Sequence, residues 1–229
     1  MPERERALIV GAGSGLSASL ARRAAREEMD IVLAARNTQK LAALAGETGA
    51  QAIACDASRA EEVDRLFAQL DAGDNRLDLV VYNPSGRARG PVIELDPAAV
   101  EQAIRVTAFG GFLVAQAAAR RMLKQGRGTI LFTGASASVK GYARSSSFAM
   151  GKFALRGLAQ SLARELQPQN IHVGHIVIDG GIANPQRTAS GPDALLDPDH
   201  IADAYFHLYR QHRTAWAWEI ELRPWVETF

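Results

Sequence analysis

Short, almost continuously apolar runs alternate with longer stretches in which apolar positions recur at helical spacing. The runs predict strands over 7–10, 30–34, 51–54, 77–82, 128–133 and 171–178, with 217–222 last. They are rich in Val and Ile and lack the alternation of a half-exposed sheet, as expected when helices cover both faces of a parallel sheet. The intervening pattern predicts helices over 16–28, 38–47, 60–70, 97–124, 148–167 and 198–211. Asp56-Ala57-Ser58 and Asp96-Pro97 look like helix starts, with a capping side chain or a proline preset for the first turn. Strand and helix in alternation imply right-handed crossovers and one doubly wound α/β domain of about seven parallel strands with helices on both faces. No repeat, low-complexity tract or linker interrupts it. The longest irregular piece, 180–196, is either a lid over a site or a plain surface loop.

Composition narrows the partners rather than the fold. The chain has 229 residues, 47% of them hydrophobic, enough for one sizeable domain with a full core. Twenty-six Lys and Arg stand against 25 Asp and Glu, a net charge of +1. That balance gives no electrostatic case for nucleic acid or an anionic membrane as partner. The single Cys55 excludes an intramolecular disulfide and a cysteine-rich zinc site, and points to a reducing, cytoplasmic setting. The charged N-terminus is unlike a secretory signal, and no uninterrupted apolar run has the length to cross a bilayer. His172 and His175 fall in an apolar strand pattern and are expected to be satisfied core residues. His200, His207 and His212 have no spacing that makes a metal site, so no metal is expected.

The chemistry is expected beyond the carboxyl ends of the strands, where doubly wound sheets bind ligands. The first strand runs into Gly11-Ala12-Gly13-Ser14-Gly15-Leu16-Ser17, and a helix pattern begins at once. A strand turning sharply into a helix leaves free backbone N–H groups and a positive dipole end, which suit a phosphate. Ser17 stands where a third glycine would complete the familiar dinucleotide fingerprint, so an ordinary strand-to-helix turn is the plainer alternative. The second strand ends Ala35-Arg36 where an NAD site would carry an acid. A carboxylate repels a 2′-phosphate and a guanidinium pairs with it, which favours NADP(H) over NAD(H). A surface arginine is the alternative. Asp56, after the third strand, and Asn83, after the fourth, can reach adenine or ribose, although each is also a common turn former.

With these pieces in order, the chain resembles the short-chain dehydrogenase/reductase family over nearly its whole length. The resemblance rests on Gly11-x-x-x-Gly15, Arg36, Asp56, Tyr82-Asn83-Pro84-Ser85, Lys152 and Asp179-Gly180. It implies a Rossmann-like sheet and hydride transfer with a nicotinamide cofactor. It also implies homodimers or homotetramers built on the two long central helices. The cofactor would be held by Gly11, Gly13, Ser14, Gly15 and Leu16 at the diphosphate turn, and by Arg36, Asp56, Ala57 and Asn83 along the adenosine half. Lys152, Gly180 and Ile182 would complete the nicotinamide end.

The catalytic set departs from the family pattern. Members typically carry Tyr-x-x-x-Lys, and here the segment reads Phe148-Ala149-Met150-Gly151-Lys152. The usual serine position is Ala135, with Ser136 beside it, and the usual asparagine falls on Thr107. Lys152 alone matches, so Lys152, Ser136 and the Phe148 position form the expected catalytic set. Two readings follow. One is an NADP(H)-dependent oxidoreductase acting on a small carbonyl or alcohol, with Ser136, Ser147, Tyr142 or a water replacing the phenol. The other is a nucleotide-binding protein without redox turnover. Pocket walls are expected from 85–95, 136–147 and 180–196, and none carries a charge pattern that names a ligand. The C-terminal Trp216, Trp218 and Trp225 pack either on a neighbouring subunit or on the protein's own core.

Overall fold

Seven parallel strands form one sheet: β1 Arg6–Val10, β2 Asp30–Ala35, β3 Gln51–Ala54, β4 Leu79–Tyr82, β5 Gly128–Thr133, β6 Ile171–Ile178 and β7 Glu219–Leu222. The computed structural model describes residues 4–72 and 76–227. Strand order is β3-β2-β1-β4-β5-β6-β7, so the direction of winding reverses between β1 and β4. That reversal opens a crevice at the carboxyl ends of the two strands.

The period-2 geometry of the strands sends neighbouring side chains to opposite faces. Leu8, Val10, Val80, Tyr82, Ile130 and Phe132 point to one core. Ala7, Ile9, Leu79, Val81, Leu131 and Ile176 point to the other. The first core is covered by α3 Ala60–Asp71, α5 Gly110–Gln125 and α6 Ser146–Leu166, with α4 Pro97–Ile104 packed against α6. The second is covered by α1 Leu16–Arg26, α2 Ala42–Thr48 and α7 Pro198–Tyr209. Both faces being apolar, the central strands lack a polar side, which is why the sequence shows continuous runs, whereas the edge strand β7 alternates Glu219 and Glu221 with Ile220 and Leu222.

Several predicted boundaries move. Asp96 caps α4, accepting hydrogen bonds from the amides of Ala98 and Ala99. Asp56 starts no helix: its carboxylate accepts from the Ser58 amide and hydroxyl, and α3 begins only at Ala60. The helix predicted over 97–124 is interrupted by a π turn at Arg105–Phe109, where the Gly110 amide bonds the carbonyl of Arg105. The fully buried Tyr82 donates its hydroxyl proton to the Val106 carbonyl inside this turn. A Cβ on Gly110 would lie 2.4 Å from that hydroxyl. The small residues of this helix therefore serve the sheet and α6, with Gly111 against Leu155 and Thr107 against Gly151.

Within Pro97–Gln125 an 18-residue window reaches a mean hydropathy of 1.2, long and apolar enough to cross a membrane by length and composition, a property that the core helix of a soluble protein shares. Glu101, Arg105, Arg120, Arg121 and Lys124 break the stretch, so it holds no uninterrupted apolar run of that length. Trp216 stacks on His172 with ring centroids 4.7 Å apart, and Trp218 packs on the first core, while Trp225 is exposed.

Candidate active site

The glycine turn after β1 is held from below. The amides of Gly11 and Ala12 both donate to the Ala34 carbonyl, and the Asn83 amide donates to the carbonyl of Val10. Gly11 has φ +78°, and a Cβ there would sit 2.7 Å from the Pro84 nitrogen and Cγ. This position needs glycine on both counts. The buried Ser17, standing where a third glycine was missed, is a staple. Its hydroxyl donates to the Gly11 carbonyl at 3.2 Å and accepts from Asn83 Nδ2 at 2.8 Å. Added Cβ atoms at Gly13 and Gly15 would meet nothing within 4 Å. Gly15 begins α1 without a capping side chain, and no acid lies in the first turn. The upper side of the turn is thus open backbone at a helix N-terminus, a fit for a diphosphate.

From that turn a cleft of about 500 Å³ runs across the ends of β1, β2, β3 and β4. Its lining includes Gly11, Gly13, Ser14, Arg36, Asp56, Ala57 and Asn83 from the predicted set, together with Lys40. Burial raises the Asp56 carboxyl, but its hydrogen bonds from Ser58 and the nearby Arg36 charge outweigh this and hold it below the usual carboxylate range. Leu16 is buried in α1 and faces the second core. Its side chain does not line the cleft, and only its backbone remains available to a ligand.

Asn83 and Ser85 also line a second cavity, of about 410 Å³, so the two spaces meet. This one holds Lys152, Phe148, Ser136, Tyr142, Gly180 and Ile182, which places the nicotinamide-end residues of the predicted set together. Lys152 is 3% exposed and donates to the Thr133 carbonyl at 2.6 Å. Burial, with the Arg87 charge nearby, brings its ammonium down to about 7. A lysine so perturbed, facing a cleft, is a candidate functional residue. Behind it, the fully buried His175 bonds Glu219 at 2.9 Å through Nδ1 and leaves Nε2 without a partner. His172 Nδ1 likewise has no hydrogen-bond partner, so the expectation of satisfied core histidines fails for one ring nitrogen on each.

The structure sorts the three side chains suggested as proton donors. Ser147 is fully buried and locked, its hydroxyl donating to the Ala88 carbonyl and accepting from the Ala88 amide. Ser136 and Tyr142 both line the cavity. Thr107 binds the Gly86 amide at 2.8 Å, a positioning role at the π turn. Among the described residues no cluster of His, Cys, Asp or Glu could hold a metal.

Two side chains in this cavity were missed. Arg87 lies 3.7 Å over the Phe148 ring, and Arg187 reaches in from the loop after β6. The expectation that the pocket walls carry no telling charge is corrected here. The arginines come from distant segments, and only the fold brings them into one cavity.

The sequence profile of a family described as "short chain dehydrogenase" matches residues 5–191. The chain belongs to the short-chain dehydrogenase family. This is an oxidoreductase family that binds nicotinamide cofactors, and the open glycine turn and the joined cavities fit such a group. This short-chain dehydrogenase is 30% identical, over 77% of its own length, to a yeast NADPH-dependent 1-acyldihydroxyacetone phosphate reductase. The match covers 61% of that Saccharomyces cerevisiae protein, less than two thirds of it. A short-chain dehydrogenase from Rhodopseudomonas palustris superposes with a TM-score of 0.82 at 34% identity, over 98% of this chain and 100% of the other. A metagenomic short-chain oxidoreductase in complex with NADP gives a TM-score of 0.84 at 27% identity, covering 96% and 97%.

Proposed function

We propose that this short-chain dehydrogenase is an NADP(H)-dependent oxidoreductase that interconverts a small carbonyl compound and its alcohol. The observation that carries this reading is Arg36, which lines the same cleft as the glycine turn and has no acidic residue beside it at the end of β2. A guanidinium there suits a 2′-phosphate through paired hydrogen bonds. The NADPH-dependent yeast relative and the NADP complex of the metagenomic one point the same way.

When bound, the nicotinamide group supplies a hydride to, or takes one from, the reacting carbon. The chain's own residues do the rest. Gly11, Gly13, Ser14, Gly15 and the Leu16 amide hold the diphosphate, while Asp56, Ala57 and Asn83 line the adenosine half. Lys152, Gly180 and Ile182 border the reacting end. With Phe148 in place of a phenol and Ser147 locked to the loop, Ser136 and Tyr142 are the hydroxyls able to hand a proton to the substrate oxygen beside Lys152.

Replacing Arg36 by Ala is expected to raise the NADPH dissociation constant about ten- to a hundredfold, the worth of a hydrogen-bonded charge, and to leave that for NADH nearly unchanged. Equal changes in a fluorescence titration of both cofactors overturn the assignment. A second reading, a silent NADP(H)-binding sensor or assembly protein, draws on Phe148, which has no proton to give. Exposed Phe109, Phe112, Met150 and Phe153 on the π turn, α5 and α6 support a homodimer or homotetramer in either case. The buried lone Cys55 supports a cytoplasmic location, and the balanced charge supports a small-molecule partner without nucleic acid or membrane.

A further inference from the structure

We propose that Arg87 and Arg187 form an oxyanion-binding site in the second cavity, taking a carboxylate or phosphate group on the substrate. That the bound group belongs to a substrate rests on the oxidoreductase reading above, while the site itself rests on placement and charge.

Arg87 is held by its neighbours on both sides. The Gly86 amide bonds Thr107, the amide and carbonyl of Ala88 both bond Ser147, and the Gly90 amide bonds the Arg144 carbonyl. The segment is thus tied to the π turn, to the first turn of α6 and to the loop before it. The Phe148 ring, 7% exposed, is the platform on which the guanidinium lies. A guanidinium stacked by its face keeps its edge N–H donors for another group. Phe148 therefore has a use that the missing phenol does not explain: it supports a cation.

Arg187 crosses Gly181 closely enough that an added Cβ there would fall 2.2 Å from its Nη1. The cavity lining holds Arg87, Lys152 and Arg187 and not one Asp or Glu. Among the described residues neither arginine has an ion-pair partner. The charges felt by Arg87 are those of Arg89 and Arg187, and burial together with this repulsion lowers its affinity for its own proton. Like charges gathered without a carboxylate are costly until an anion joins them, and a planar fork suits a carboxylate or a phosphate.

The test is isothermal titration of the protein held in saturating NADP⁺, using succinate, inorganic phosphate and, as the uncharged control, succinamide. At least one of the two anions should bind tenfold or more tightly than succinamide, and which one binds says whether the group is a carboxylate or a phosphate. Arg87→Gln and Arg187→Gln should each weaken that anion about tenfold or more, with the NADPH dissociation constant and the melting temperature unchanged. The proposal is overturned if the anions bind no better than succinamide or if the variants bind them as the parent does. It is also overturned if the variants lose NADPH in proportion, which would place the arginines on the cofactor. Should the parent fail to bind NADPH at all, the oxidoreductase reading falls. The same titration without cofactor then tests the anion site alone, by the same dependence on Arg87 and Arg187.

Discussion

Replacing Phe148 by Tyr is expected to raise the rate of NADPH-dependent carbonyl reduction about tenfold or more. The ring already lines the second cavity, four residues before Lys152 on the same face of α6, with the ammonium 5.9 Å from its centroid. A hydroxyl added at its edge would lie among Lys152 and Arg87, two cations that favour the phenolate and draw its pKa below the ordinary value near 10. Positioned proton transfer is typically worth about 10²–10⁴-fold, so even an imperfectly placed phenol should register. A carbonyl panel read by NADPH absorbance measures it. No gain on any substrate, with NADPH binding intact, argues that the cavity is not arranged for this chemistry and favours the silent binder.

The second large effect is expected at the glycine turn, where neighbouring glycines should fail in different ways. Gly11→Ala places a Cβ 2.7 Å from the Pro84 nitrogen in a backbone at φ +78°. Strain of about 1–2 kcal/mol from the left-handed conformation, added to that overlap, predicts a loss of about 2–4 kcal/mol. In a domain of this size the melting temperature should then fall by about 5–15 °C. Gly13→Ala meets no protein atom within 4 Å and should melt with the parent. Its methyl group would instead occupy the space above the open backbone, so NADPH affinity should fall about tenfold or more. Thermal melts and cofactor titrations of the pair separate the two roles. If Gly13→Ala binds NADPH as the parent does, the diphosphate does not sit over this turn.

Much of the fold was legible because its sheet is buried on both sides. Runs such as Leu79–Tyr82 and Ile171–Ile178 have no polar face, and continuous hydrophobicity with intervening helical periods leaves little else to build. The ends were less legible because polar side chains replace ladder bonds there: the Leu77 amide bonds Gln125 Oε1, and β4 starts only at Leu79. The π turn was hidden for a different reason. Its cause is a tyrosine from the neighbouring strand, whose hydroxyl takes the Val106 carbonyl, and periodicity along one helix holds no trace of that.

The candidate cofactor cleft was readable because most of its residues directly follow a strand, and parallel strands all end on one side of the sheet. Ser17 was misjudged as a lost glycine because its hydroxyl partners, Gly11 and Asn83, meet it only when β1 and β4 pair. The same limit hid Arg87 and Arg187. Each sits in a glycine-containing loop where a lone arginine says nothing, and their meaning comes from sharing a cavity that lacks a carboxylate.

The measurement that bears most directly on the central claim is a fluorescence titration of the parent protein with NADPH and with NADH under the same conditions. Saturable binding of both, with NADPH at least tenfold tighter, is the expected result. Binding of neither, or equal affinity for the two, contradicts the claim that the Gly11–Leu16 turn and Arg36 together form an NADP(H) site.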